Sequence, residues 1–263
     1  MKSAATDRYW QGLESSRLEW DRKGAAVVAR LFATDRDDVV AAFKKSGKAA
    51  ALKVIEDSRP LWKQVITAYK LEVLKFYGKR EFGKMTYTLS GKKSVKAAGT
   101  EFSENTNRAV DWITGSGTKK IKWINDYTRD EINGIISTGA DKGQVVDEVA
   151  ANIHDMFTAW ADTGTPTVAR AMLIARTEGT GAFGFAHQEG ARQAAEMLGV
   201  EGVTKTWITA ADSRVRESHA AMGGETVPID EPYSNGLMYP GDQSEADAAE
   251  VVNCRCVESH DVK

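Results

Sequence analysis

Apolar residues recur at helical spacing from residue 6 to about residue 78. Tyr9, Leu13, Leu18 and Trp20 open the series, and Val27, Val28, Leu31 and Phe32 continue it. Thr34-Asp35 predicts a break and a fresh cap, with a second helix from Asp37 to Ile55. Ser58 ahead of Arg59-Pro60 predicts another N-terminus. Leu61, Val65, Tyr69 and Val73 then stand four apart, flanked by Trp62, Ile66 and Leu74, as one broad buried face. Trp10, Trp20 and Trp62 read as packing residues rather than a base-stacking platform. From Met85 the period changes to two. Met85, Tyr87 and Leu89 alternate with Thr86 and Thr88, and Ser90-Gly91-Lys92-Lys93 reads as a turn, so a β-hairpin is expected near 85–97.

Helical patterning resumes after Ser103-Glu104. Ile121, Ile124, Tyr127 and Ile132 predict a helix ending near Gly139, and Val145, Val149, Ile153 and Phe157 predict another over residues 142–161. Thr163 to Pro166 reads as a stop and restart, followed by a helix to Leu198 closed by Gly199. Gly179, Gly181 and Gly184 inside it each cost about 1 kcal/mol relative to alanine, so close approach of another backbone is expected there, with a kink as the alternative. Val203 to Ile208 reads as a strand. Thr209 to Asp212 reads as a capping box opening a short helix that stops at Gly223-Gly224, and Val251 to Val257 as a final strand. The expected fold is α+β, with a mostly helical region over 1–100, helices over 101–198 and a compact α+β module over 199–263.

The 263 residues are 42% apolar and 27% charged, which excludes collagen-like, fibrous and wholly disordered chains. No apolar run reaches the roughly 18 residues that span a bilayer, so no membrane partner is expected. Two cysteines cannot staple a small secreted fold, and Met1 to Arg8 has no apolar stretch; both fit a protein made and kept in the cytoplasm. The net charge of −2 hides an asymmetry: 21 Lys+Arg against 11 Asp+Glu over residues 1–100, and 14 against 26 over 101–263. The basic part either meets something acidic, double-stranded DNA or an acidic protein surface, or is neutralised by the acidic part.

The chemistry-bearing residues gather towards the C-terminus. On a helix, Asp212, Arg216 and His219 share a face; on a strand, Cys254 and Cys256 point the same way. Two thiolates and one imidazole make three ligands of a zinc site, with Asp212, Asp242, Glu250 or water as fourth. The competing reading is two reduced core thiols beside a satisfied histidine. Arg176 and Glu178 are too close along a helix to pair, so each needs another partner or water; either the helix is solvated there, or one of them locks it onto the C-terminal module through a buried ionic contact. Gly179 to Gly184 has a phosphate-loop spacing but lies within a helical pattern, which excludes that role. An enzyme built on Asp212, His219, Cys254 and Cys256, with Arg214, Arg216 and Glu250 nearby, lacks a clear nucleophile–base pair.

Motif order carries a resemblance. Ile174-Ala175-Arg176-Thr177-Glu178 is followed by Trp207, Asp212-x-Arg214-Val215-Arg216-x-x-His219, Gly223-Gly224, Pro240-Gly241-Asp242 and Asn253-Cys254-Arg255-Cys256. This set resembles the phage Mu F-like family of minor head, or head morphogenesis, proteins over roughly residues 100–260. Some relatives carry Cys-x-x-Cys where this chain has Arg216-Glu217-Ser218-His219, and those cysteines look like part of a zinc set. His219 then either binds metal with fewer protein ligands, or joins Arg216 in replacing the metal by hydrogen bonds. The resemblance implies a low-copy internal head component that meets the portal and capsid or scaffold proteins, without catalytic residues. Such proteins act in procapsid assembly, genome packaging or ejection.

Overall fold

A computed structural model describes residues 4–91, 101–115, 118–162, 170–244 and 247–262. The fold is mainly helical with one small sheet, the expected α+β class. The chain forms two compact units, each discontinuous in sequence: Met1–Trp20, Tyr69–Ile113 and Arg176–Lys263 in one, Asp21–Ala68 and Thr114–Ala175 in the other.

α1 (Ala4–Leu89) supplies both units and is two helical arms joined at Gly47, whose φ of 77° and ψ of −165° leave the helix. Only glycine adopts this conformation without strain. The arms run antiparallel, since Trp62 Nε1 donates to Asp35, the Tyr69 hydroxyl to the Trp20 carbonyl and the Tyr77 hydroxyl to Ser16. The breaks expected at Thr34-Asp35 and at Ser58 to Pro60 do not occur. Asp35 is buried and holds Trp62 across the hairpin, and Pro60 is accommodated inside the second arm. Packing along the arms outweighs these local stop signals.

The second unit closes around Gly47 with α3 (Thr118–Asp141), α4 (Val146–Ala161) and the first turns of α5 (Arg170–Leu198). Its core contains Phe32, Trp62, Ile132, Ile153 and Phe157, with Phe32 edge-on to Trp62 at 5.0 Å. α4 starts four residues later than expected, where the Glu148 carboxylate accepts from the Val145 N–H. The Thr163 to Pro166 restart lies outside the described residues.

The first unit packs both ends of α1, α2 (Asn107–Gly115), most of α5 and the C-terminal sheet. Met85 and Leu89, expected on a hairpin strand, are helical. Tyr77, Phe82 and Met85 are buried at helical spacing, and this periodicity overrides the short alternation. The expected return strand, 92–97, lies outside the described residues. The sheet order is β2-β1-β3, all antiparallel, with β1 (Val203–Ile208) central, β2 (Thr226–Pro228) and β3 (Val257–Val262). β1 matches expectation; the final strand does not. Val251 ends the short helix α7 (Ala248–Val251), Asn253 turns the chain at φ 57°, and pairing with β1 begins only at Val257 opposite Ile208.

α5 keeps its helical bonding through the glycine cluster, and close backbone approach is the reason. A Cβ at Gly184 would stand 2.5 Å from the Pro240 carbonyl oxygen, and one at Gly181 3.0 Å from that of Gly241. The Pro240-Gly241-Asp242 turn therefore lies directly on α5.

Candidate metal centre and the loop that carries it

His219 lies on α6 (Glu217–Ala221), a single turn that Arg216 precedes as N-cap. The expected helix from Thr209 is instead a turn with Ala211 at φ 58°, tied by the Thr209 hydroxyl and by Asp212 accepting from the Arg214 N–H. Asp212, Arg216 and His219 consequently share no helix face. Cys254 and Cys256 lie on the loop before β3, not on a strand.

The three nonetheless meet. His219 Nδ1 is 3.7 Å from the Cys254 sulfur and 3.5 Å from that of Cys256. Both thiols are free, and all three residues are buried. Trp207 covers the imidazole edge-on at 5.2 Å and packs against Tyr233 on its other side. Glu250 holds His219 from behind: its carboxylate lies 2.9 Å from Nε2 and accepts from the Ser218 hydroxyl. Burial opposes charge on His219, but Cys254 and then Glu250 outweigh it and raise its pKa. The hydrogen bond from Cys256, ahead of His219, pulls the Cys254 thiol well below a free thiol's range, and Cys256 is pushed up in turn.

This donor set fits zinc. Bonds of about 2.3 Å to sulfur and about 2.0–2.1 Å to nitrogen put tetrahedral S and N ligands about 3.5 Å apart. The carboxylate on the far ring nitrogen is the usual support of a ligating histidine. The other fourth-ligand candidates are engaged elsewhere. Asp212 pairs with Arg255 and Arg214, which hold it down to about 2. Asp242 accepts from the Met238 N–H and from Ser244 within its own turn. Glu250 sits behind the imidazole. Arg216 donates to the Val252 carbonyl and so braces the same loop.

The loop is clamped from three sides. Arg176 donates to the Asn253 side chain, and the Asn253 N–H donates to the Thr177 hydroxyl. The Thr180 hydroxyl donates to the Cys254 carbonyl. Arg17, 4% exposed, donates to the carbonyls of Cys254, Arg255 and Cys256 and to Thr180. Arg176 thus locks α5 onto the C-terminal module by a hydrogen bond to a neutral partner. Glu178 instead forms a buried ion pair with Lys70 of α1, at 3.0 Å. Gly224, at φ 95°, closes the turn after α6 by donating to the Trp207 carbonyl. Sequence reasoning missed Arg17 and Thr180. Arg17 sits among ordinary helix-surface charges, and only the fold brings it 237 residues along the chain to Cys254.

The loop and its clamps on α5 fall within the region that comparison with known proteins matches, whereas Arg17 lies outside it. The phage Mu protein F like family model matches residues 130–259. Over that region, just under half of its length, the chain is similar to this family. Two relatives align over similar lengths. One is a NAD(+)--arginine ADP-ribosyltransferase EFV from Enterococcus faecalis, 29% identical over 53% of this chain and 27% of that protein. The other is an uncharacterized protein from Haemophilus influenzae, 28% identical over 59% of this chain and 30% of that protein. The Mu F-like chain spans less than a third of the length of either relative. No solved structure matches it. Among the described residues no helix is long and apolar enough to cross a membrane.

Proposed function

We propose that this chain is a minor head protein of a tailed phage or prophage, present in few copies inside the head at the portal vertex. Its partners on this reading are the portal protein and the capsid or scaffold proteins, and it acts in procapsid assembly, genome packaging or ejection after assembly in the host cytoplasm. The observation that carries the reading is the Mu F-like match, whose motif residues Arg176, Asn253 and Cys254 are joined by one bonded loop. The His219–Cys254–Cys256 centre serves this module as a structural zinc site. Its burial supports bracing rather than turnover, since no substrate reaches three side chains that are 1–3% exposed. Quantitative mass spectrometry of DNase-treated particles, with portal and major capsid protein as standards, tests the reading. A few copies per particle support it, and absence from both mature particles and procapsids overturns it.

Contact of the basic residues 1–100 with packaged DNA belongs to the same proposal. These residues contribute to both compact units, so the full chain is the correct probe. Filter binding that weakens steeply with salt supports DNA contact, and salt-independent or absent binding removes it.

A toxin-like or metal-dependent enzyme is the second reading, favoured by the similarity to the Enterococcus faecalis ADP-ribosyltransferase. Transfer of ADP-ribose from labelled NAD+ to an arginine acceptor by the purified chain would move the conclusion to this reading.

A further inference from the structure

A second cluster lies within the first unit, apart from the thiols. Glu81 on α1, His187 on α5 and His260 on β3 place one donor atom each within 4.8 Å of one another. Glu81 and His260 are 179 residues apart, and of the three only His187 falls within the family match. All three are buried. His260 Nδ1 is 3.1 Å from one Glu81 oxygen, and His187 Nδ1 is 3.9 Å from the other. Behind His260, the Glu258 carboxylate lies 3.3 Å from Nε2.

His187 is the telling member. Its ring is packed 4.2 Å from Phe183 and 5.9 Å from Tyr77, which fixes its direction. Neither ring nitrogen has a hydrogen-bond partner among the described residues. An unsatisfied buried polar group costs about 1–3 kcal/mol, so an imidazole held this way beside the buried Glu81 carboxylate is an anomaly. The half-exposed Lys84 ammonium, 2.9 Å from Glu81, is a present counter-charge; burial opposes charge on His260, but the Glu258 and Glu81 carboxylates outweigh it and raise its pKa.

We infer that Glu81, His187 and His260 bind a divalent first-row transition ion such as zinc through two imidazoles and one carboxylate. Tetrahedral N and O ligands at about 2.0–2.1 Å stand about 3.3 Å apart; His260 to Glu81 is already at 3.1 Å, and His187, 3.9 Å from Glu81, has to draw in by about half an ångström. Glu258 lies on the far side of the His260 ring, 3.3 Å from Nε2 in ion-pair contact, and leaves Nδ1 facing the ion. On binding, His260 presents an unprotonated Nδ1 and Lys84 swings to solvent, so the ion takes the place of the Lys84 ammonium beside Glu81. His187 Nδ1 gains the partner it lacks. Imidazole and carboxylate donors suit zinc, manganese or ferrous iron. The inference is independent of the head-protein reading and of the thiolate centre.

Cobalt(II) titration of the metal-free full chain tests it. Thiolate ligation gives intense near-ultraviolet charge-transfer absorbance, and an imidazole–carboxylate site gives visible bands without it. One equivalent of the second kind is expected to persist in C254S/C256S and to be lost in H187Q. No cobalt bound by C254S/C256S, or undiminished binding in H187Q, overturns the site. Should either variant fail to fold, long-range 1H–15N spectra of wild-type histidine rings during zinc addition decide the matter. One ring nitrogen of each of His187 and His260 is expected to shift, and unmoved His187 resonances at saturating zinc overturn the site.

Discussion

Arg176 donates to the side-chain oxygen of Asn253 at 2.9 Å, across 77 residues of sequence. Asn253 sits at φ 57°, a conformation asparagine tolerates and β-branched residues do not. Two motif segments that look separate on paper are therefore one bonded joint, and Thr177 completes it by accepting the Asn253 N–H.

That joint predicts an ordered mutant series. Asn253→Gly keeps the left-handed backbone and loses only the Arg176 bond, for about 1 kcal/mol. Asn253→Val loses both and is expected to cost about 2–3 kcal/mol. Denaturant unfolding of the pair measures the difference; equal stabilities would show that the backbone angle is not a constraint.

Arg17→Met removes the donor to three loop carbonyls while keeping an apolar stem. The Cys254 carbonyl keeps the Thr180 hydroxyl and the Arg255 carbonyl keeps the Trp10 indole N–H, so the Cys256 carbonyl loses most, for an expected loss of about 1–3 kcal/mol. Arg17→Lys should recover little, because an ammonium lacks the planar fork. Full recovery by lysine in thermal unfolding would reduce the clamp to a simple charge.

Asp35 gives a pH prediction. Burial raises its pKa from 3.8 to about 6, and the bond from Trp62 offsets only part of this. The folded state thus holds the proton more tightly than the unfolded chain. The stability involved is fully present below about pH 4 and is lost as pH rises to 6 and beyond. Asp35→Asn keeps an acceptor for Trp62 without the ionisation. It should match wild type at pH 4 and exceed it by about 2–3 kcal/mol at pH 8. A constant difference across that range would refute the assignment.

Glycine substitutions should split by sign. Gly184→Ala forces a Cβ to 2.5 Å from the Pro240 carbonyl and 2.6 Å from the Tyr239 ring, and should cost at least about 2 kcal/mol. Gly134→Ala, on the exposed side of α3 with nothing within 4 Å, should stabilise by about 0.5–1 kcal/mol. Melting temperatures moving in the same direction for both would contradict the close approach at α5.

Glu250→Gln should weaken zinc at the His219–Cys254–Cys256 centre about 10–100-fold, since it removes the charge behind the ligating ring. Competition with a chromophoric chelator reads this directly. Unchanged affinity would take Glu250 out of the support role.

The sequence disclosed what local periodicity encodes. β1 and the Val149, Ile153, Phe157 stripe fall where apolar spacing puts them, and the glycines of α5 signalled a close neighbour. It misled wherever a local signal met a long-range partner. Asp35 looks like a cap until Trp62 arrives from 27 residues away. Met85 and Leu89 look like a strand until α1 is seen to carry them. The thiol and imidazole ligands were recognisable by type, but for a wrong geometric reason, since neither a strand face nor a helix face brings them together. Glu81, His187 and His260 carried no signal, because three single residues on distant elements form no spacing.

The clamp also orders events during synthesis. Every segment of the second unit has been made once residue 175 leaves the ribosome, whereas Arg17 must wait for residue 256 before its carbonyl partners exist. The helix that carries Arg17 therefore waits through the 239 residues that separate it from Cys256, and the unit that contains it closes after the second.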